Sequence, residues 1–223
     1  MRKQETFRYN GLGILGEKMN LLVKATKIVE YIVSDYLREG DLAVDATCGN
    51  GNDALMLAEL VGENGKVVAF DIQQGALEMT QAMLRRHERT CILKENQDMD
   101  TRSYQVDLIL DSHENMAKYI EKDVASVILF NLGYLPGGEH HVVTKVETTL
   151  MAVQEAVELI RKDGLVAVTF YPGHPEGFHE KEQLSEYLRK LDRSRFHVVS
   201  VCMVNQEREG KLPPEIVFIT KKK

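Results

Sequence analysis

Leu22, Ala25, Val29, Ile32 and Tyr36 recur at intervals of three and four residues, with Lys24, Lys27, Glu30 and Arg38 among them. That spacing gathers apolar side chains on one face of an amphipathic helix starting near Leu21, and Gly40 ends it. The next apolar run, 42–45, is short and bounded by turn residues, which predicts a buried strand. The pattern then alternates. Helical spacing is expected over 53–61, 75–87, 115–122, 144–162 and 180–191, with Asp163-Gly164 closing the fourth of these. Short apolar runs predict strands at 66–71, 106–110, 124–130, 165–171, 196–204 and 215–220. The stretch 90–105 reads two ways: Cys91-Ile92-Leu93 as a strand, or the whole as a connection whose 96–104 part is a polar loop.

Strands alternating with helices predict an α/β layered fold with a mostly parallel sheet of about seven strands. No helix separates the last two strands, so that pair is expected to be antiparallel. Residues 1–20 are polar, with Gly11, Gly13 and Gly16 close together, and read as an irregular N-terminal arm. Residues 21–223 then form one domain, with no internal repeat or interdomain linker. A chain of 223 residues can bury about 70% of its unfolded surface, enough for one sizeable core.

Charge narrows the partners. Twenty-eight Lys and Arg against 34 Asp and Glu leave a net charge of −6, which argues against a broad basic face for duplex nucleic acid but permits local basic patches. Three such clusters stand out: Arg85, Arg86 and Arg89; Arg189, Lys190, Arg193 and Arg195; and Lys221 to Lys223. Each also reads as an ordinary solvated helix face or a frayed tail. The three cysteines, Cys48, Cys91 and Cys202, are far apart and contain no CxxC, so neither a disulfide scaffold nor a thiolate zinc site is expected. His113-Glu114 and His179-Glu180 lack the second histidine of HExxH, and no metal is expected. With no apolar leader and no long apolar span, the sequence reads as soluble and cytoplasmic, without a membrane partner.

The candidate chemistry begins where the first strand meets its helix, at Asp45-Ala46-Thr47-Cys48-Gly49-Asn50-Gly51-Asn52-Asp53. Such a junction lies at the carboxyl end of the sheet, where open α/β folds bind ligands. Glycines there let backbone approach a ligand closely, and Asp71 at the end of the second strand can accept hydrogen bonds from ribose hydroxyls. The string Gly49-x-Gly51-x-x-Ala54 also matches the dinucleotide fingerprint, so a nicotinamide oxidoreductase is a rival reading. Asp45 at the strand end disfavours it, because a carboxylate suits a cationic aminoacyl tail better than a pyrophosphate.

Asp45-x-x-x-Gly49-x-Gly51 with Asp71 resembles the donor motifs of class I S-adenosylmethionine-dependent methyltransferases. Four further strings sharpen this: Asp111-Ser112-His113-Glu114, Asn131-Leu132-Gly133-Tyr134-Leu135-Pro136-Gly137-Gly138, Glu147-Thr148-Thr149, and Tyr171-Pro172-Gly173-His174-Pro175-Glu176-Gly177. In this order they are similar to the YtqB/MnmM-type family, formerly described as rRNA methylases. The resemblance covers about 21–220 and implies a Rossmann-like fold, a seven-stranded sheet with an antiparallel last strand, and helices on both faces. It implies methylation of the amine of 5-aminomethyl-2-thiouridine at the tRNA wobble position, with S-adenosylhomocysteine as the second product and the tRNA anticodon arm as partner. The stretch 90–105 is longer than the family's usual connection, and the arm 1–20 extends beyond its core.

On this resemblance the donor contacts fall on Asp45, Thr47, Gly49, Asn50, Gly51, Asn52, Asp53, Asp71, Gln73, Asp111, Ser112, His113 and Asn131. Asp111 and its neighbours would frame the adenine. Asn131 to Tyr134 looks like the Asn-Pro-Pro-Tyr loop of amino-group methyltransferases, with Leu-Gly replacing Pro-Pro. Asn131 would orient the amine lone pair and Tyr134 would stack on the extruded base. Because the attacking amine must be unprotonated, His140 and His174, together with Glu139 and His141, are candidates for a base or for pocket-shaping loop residues. Thr144 and Glu147 fit a capping box at the start of the long helix. Three other readings stay open: a methyltransferase acting on another RNA or a small-molecule amine, a nicotinamide enzyme, and a non-catalytic donor-binding protein. The sequence also leaves open a homodimer.

Overall fold

The computed structural model describes residues 22, 24–94, 104–133, 145–173, 175–207 and 211–222. Helix α1 (Ala25–Tyr36) precedes β1 (Leu42–Asp45), α2 (Asn52–Val61), β2 (Lys66–Asp71), α3 (Gln74–Arg86), β3 (Cys91–Lys94) and β4 (Val106–Leu110). A short 3-10 helix (His113–Lys118) leads to β5 (Ala125–Asn131), α4 (Val146–Leu159), β6 (Ile160–Phe170), α5 (Pro175–Lys190), β7 (Phe196–Cys202) and β8 (Glu215–Lys221).

The strands form one sheet in the order β3-β4-β2-β1-β5-β6-β8-β7, parallel except for β8, which runs antiparallel to both β6 and β7. Among the described residues there are thus eight strands where about seven are expected. The extra one is β3, four residues that pair with β4 at the sheet edge. Cys91-Ile92-Leu93 is too short a run to separate strand from loop by pattern, and its pairing with β4 decides the matter.

Consecutive residues of the central strands feed opposite cores, which explains their unbroken apolar runs. Val44, Phe70, Ile128 and Val168 face a core shared with α4, α5 and the 3-10 helix. Ala43, Val67, Leu129 and Ala167 face the core packed by α1, α2 and α3.

Several boundaries differ from expectation: the helix expected over 115–122 is the 3-10 helix His113–Lys118, β7 ends at Cys202 rather than 204, and the largest differences are at α4 with β6 and at α5. α4 ends at Leu159 rather than Lys162, because Ile160 already pairs with Ala125 on β5. The ladder then shifts register and resumes at Leu165, the shift spanning Asp163 at φ +59°. α5 starts at Pro175, ahead of the expected 180, with the proline's fixed φ suited to a first helical position. Of the Lys221–Lys223 cluster, which also read as a frayed tail, Lys221 is the last residue of β8. Lys221 is buried, ion-paired to Asp123 at 2.7 Å and donating to the carbonyls of Glu158 and Ile160. Arg195 is also engaged, bonding Glu158 and lying over the Phe196 ring. No helix among the described residues is long and apolar enough to cross a membrane.

β1 lies between β2 and β5, so successive crossovers leave it in opposite directions. That is a topological switch point, and it opens a crevice at the carboxyl ends of these strands.

Candidate active site

A cleft of about 1040 Å³ occupies this crevice, lined by the turns that follow β1, β2, β4, β5 and β6. The volume suits a nucleoside ligand with room for a second group. The turn after β1 is tightly held. The amide of Cys48 donates to the Phe70 carbonyl and that of Gly51 to the Cys48 carbonyl, at 2.8 and 2.9 Å. Gly51 caps α2 at φ +80°, and a Cβ there would lie 2.6 Å from Thr80 Oγ1. Both the left-handed backbone and the close approach require glycine. Thr80, buried on α3, accepts from Cys48 Sγ and donates to the Gly49 carbonyl, locking the turn against a neighbouring helix.

Three carboxylates border this turn. Asp45 is fully buried; its Oδ1 accepts the Thr47 amide, while Oδ2 is buried without a partner. Burial pushes its pKa well above the carboxylate range, and nearby Asp53 adds to the rise. Asp53 is itself raised by burial and, further off, by Glu30 of α1. Asp71 is also raised by burial, although its oxygens accept the amides of Gly49 and Gln73, both at 2.9 Å. The Ile72 amide also bonds this carboxylate, which with about four acceptor positions still has capacity for a ligand hydroxyl. Such a floor favours a cation and opposes a pyrophosphate.

Asp111 lines the cleft but turns its carboxylate onto the 3-10 helix. It accepts from the Ser112 amide, Asn115 Nδ2 and Tyr119 Oη at 2.7 to 2.9 Å. Burial pushes its pKa up, but the bonds from Asn115, Tyr119 and Ser112 outweigh that and leave it lowered. Its carboxylate thereby fixes the Ser112-His113 backbone. His113 packs edge-on to Phe130, with Nε2 buried and unpartnered. Burial lowers its pKa to about 4, so the ring is neutral at pH 7 and can exchange hydrogen bonds with a polar ligand without adding positive charge.

Asn131 ends β5 beside the donor turn. Its amide donates to Thr47 Oγ1 at 2.7 Å, and its Nδ2 reaches Asp53 Oδ2 at 3.3 Å. The Tyr171 side chain also hydrogen-bonds Asn131, and its ring packs 3.5 Å from where a Gly133 Cβ would be. Burial, and then the Asp53 charge, raise the Tyr171 phenol. The donor residues singled out from sequence thus converge: Thr47, Gly49, Asn50, Asn52, Asp53, Asp71, Gln73, Asp111, Ser112, His113 and Asn131 all line the cleft. Asp45 and Gly51 support the wall from within.

Tyr134, His140 and His174 lie outside the described residues, as do Glu139, His141 and Thr144. Of the expected capping box, Thr144 lies outside the described residues. The residue before α4 is Lys145, with no side-chain cap, and Thr148 donates back to its carbonyl. Sequence reasoning missed Tyr171 as a side chain aimed at Asn131, and missed the lining role of α1 through Thr26, Lys27 and Glu30. Tyr171 stands 40 positions after Asn131 in the chain, and the approach of the ends of β5 and β6 is not visible in linear spacing.

Comparison with known proteins agrees with this geometry. Residues 67–220 match the family described as "Putative rRNA methylase". The tRNA (mnm(5)s(2)U34)-methyltransferase, chloroplastic, of Arabidopsis thaliana is 32% identical over 209 residues, 89% of this chain and 70% of that protein. A "putative rRNA-methylase" from Clostridium thermocellum has a crystal structure with a TM-score of 0.78 and 39% identity, covering 93% of this chain and 100% of that one. A Streptococcus mutans methyltransferase solved with S-adenosylhomocysteine gives a TM-score of 0.72 at 31% identity, covering 88% and 97%. Among class I methyltransferases the methyl donor is S-adenosylmethionine, and the residues here fit it: Asp53 and Asp71 line the cleft with Asp45 buried behind them, and this group of carboxylates matches a ligand bearing ammonium and sulfonium. The chain belongs to the family described as "Putative rRNA methylase" and is an S-adenosylmethionine-dependent class I methyltransferase.

Proposed function

We propose that this enzyme methylates the amine of 5-aminomethyl-2-thiouridine at wobble position 34 of tRNA, giving 5-methylaminomethyl-2-thiouridine. The observation that carries the reading is the Asn131 amide at the end of β5, set between Asp53 and Tyr171 and bonded through its own N–H to the donor turn. The Arabidopsis relative bears the name of this activity, which supports the same substrate here.

S-adenosylmethionine, when bound, supplies a methyl group already activated on sulfonium, so alignment of the amine provides most of the catalysis. Asp45, buried behind the cleft wall, would attract the ammonium of the aminoacyl tail through its charge, and Asp71 would take the ribose hydroxyls. The Ser112-His113 backbone, braced by Asp111, frames the adenine. With Nδ2 directed at Asp53, Asn131 has Oδ1 to accept from the substrate amine and aim its lone pair. The nitrogen forms a bond to carbon, the carbon–sulfur bond breaks with its electron pair going to sulfur, and the nitrogen gives up one proton. On the family resemblance Tyr134 would stack on the extruded base, and His140 and His174 are candidates to receive the proton. A second reading, methylation of another RNA or a small-molecule amine, draws on the net charge of −6.

The test incubates the protein with S-adenosylmethionine and tRNA from cells lacking the terminal wobble modification, followed by nucleoside mass spectrometry. Conversion of 5-aminomethyl-2-thiouridine to its N-methyl form is the expected result. Donor binding without conversion would transfer the assignment to another RNA or a small amine.

A further inference from the structure

The cleft is lined by charges of both signs, acidic Glu30 and Glu59 among them, and Lys27 is ion-paired to Glu30. Asp53 and Asp71 lie along the floor with Asp45 buried behind it, yet the lining also includes Lys145 and Lys211 from distant parts of the chain. Lys145 immediately precedes α4, at its N-cap position. Lys211 packs beside the acceptor wall: its Cβ lies 3.7 Å from where a Gly173 Cβ would be, two residues beyond Tyr171. Both lysines are exposed, and neither has an ion-pair partner among the described residues. Other lysines are engaged. Lys66 and Lys94 share Asp107, Lys181 pairs with Glu215 and Lys221 with Asp123.

We propose that Lys145 and Lys211 hold the RNA phosphates flanking the nucleotide whose base enters the cleft. This rests on the reading above that the acceptor is an RNA nucleotide. A base that enters the cleft leaves its sugar and phosphates at the mouth. An acidic floor in a protein of charge −6 repels those phosphates unless cations stand at the rim. Lysine suits that task, since a flexible point charge can follow a mobile backbone. The floor then receives the cationic amine while the rim receives the anionic backbone, so the two signs orient the nucleotide. The basic clusters prominent in the sequence are not among the cleft-lining residues.

The test measures binding of an anticodon stem-loop RNA carrying 5-aminomethyl-2-thiouridine, with S-adenosylhomocysteine present, as a function of salt. Variants are Lys145→Gln, Lys211→Gln, the double Gln variant and the double Arg variant. The double Gln variant should bind about tenfold more weakly at low salt, and its log–log salt slope should be shallower by about 0.7 for each phosphate no longer neutralised. The double Arg variant should retain affinity and slope, and affinity for S-adenosylhomocysteine should be unchanged throughout. Unaltered RNA affinity and slope in the double Gln variant, with wild type binding and converting the RNA, would overturn this inference alone. A parallel loss of S-adenosylhomocysteine affinity would also overturn it, by placing the lysines on the donor side. Failure of wild type to bind the RNA at all would sink this inference together with the tRNA reading.

Discussion

The two walls of the cleft are built on different principles. The donor wall is local: the turn between β1 and α2, braced by Thr80 and by Asp71 at the end of the next strand. The acceptor wall is assembled from the ends of β5 and β6, the start of α4 and the segment around Lys211. The first holds buried carboxylates around a fixed backbone, and the second joins side chains brought together only by sheet order. On the proposed reading, donor binding would rest on a compact sequence motif, and the acceptor side on residues that only long-range packing brings together.

The largest expected effect separates the walls by charge. Asp45→Asn keeps the acceptor for the Thr47 amide but removes a buried negative charge. Donor affinity should fall about 100-fold, since truncating one member of a buried ion pair costs roughly 2–5 kcal/mol. The apo protein should meanwhile become more stable at pH 7. The sign follows from linkage: a carboxyl whose pKa is raised on folding is best tolerated at low pH, and its stability cost appears as pH rises above the unfolded value. Calorimetric titration with S-adenosylhomocysteine and urea unfolding read the two effects. A variant that loses both affinity and stability would mean Asp45 is a structural group.

Asn131→Ala should do the reverse. The backbone bond to Thr47 survives, so donor affinity should stay within about threefold, whereas kcat should drop about 100-fold through misplacement of the amine. Single-turnover kinetics with saturating donor and tRNA would show it, and unchanged turnover would remove Asn131 from the acceptor wall.

His113 gives a smaller and more specific effect. Its pKa falls from 6.5 to about 4 on folding, so the stability it contributes is present above pH 6.5 and lost as pH falls toward 4. His113→Gln should flatten the decline in unfolding free energy between pH 7 and pH 4.5 by about 1–2 kcal/mol. Urea midpoints across that range provide the measurement, and an identical acid slope in both proteins would show that the ring is not buried as described.

The same contrast explains what was legible in advance. Strands 42–45, 66–71 and 106–110 were readable to the residue, because a strand buried on both faces must be continuously apolar and its ends must turn. The turn between β1 and α2 was equally readable, since its glycines and carboxylates lie close together in sequence. β3 was not, because four residues, three of them only partly buried, gain strand character from pairing with β4 rather than from their own pattern. The end of α4 was missed for a related reason: Ile160 leaves the helix to meet Ala125, a pairing that helical periodicity cannot report.

By itself, then, the sequence determined the α/β alternation, the donor turn and the acidic character of the floor, all set by short-range sterics and by residues close along the chain. Tertiary structure decided which cations are free. It buried Lys221 in a strand end that looked like a tail and engaged Arg195 beside Phe196. It also set the Tyr171 ring against Gly133 and carried Lys145 and Lys211 to the mouth of one cleft. Those outcomes depend on strand order and on which charges find partners when distant segments pack, and neither is encoded in any single stretch of the chain.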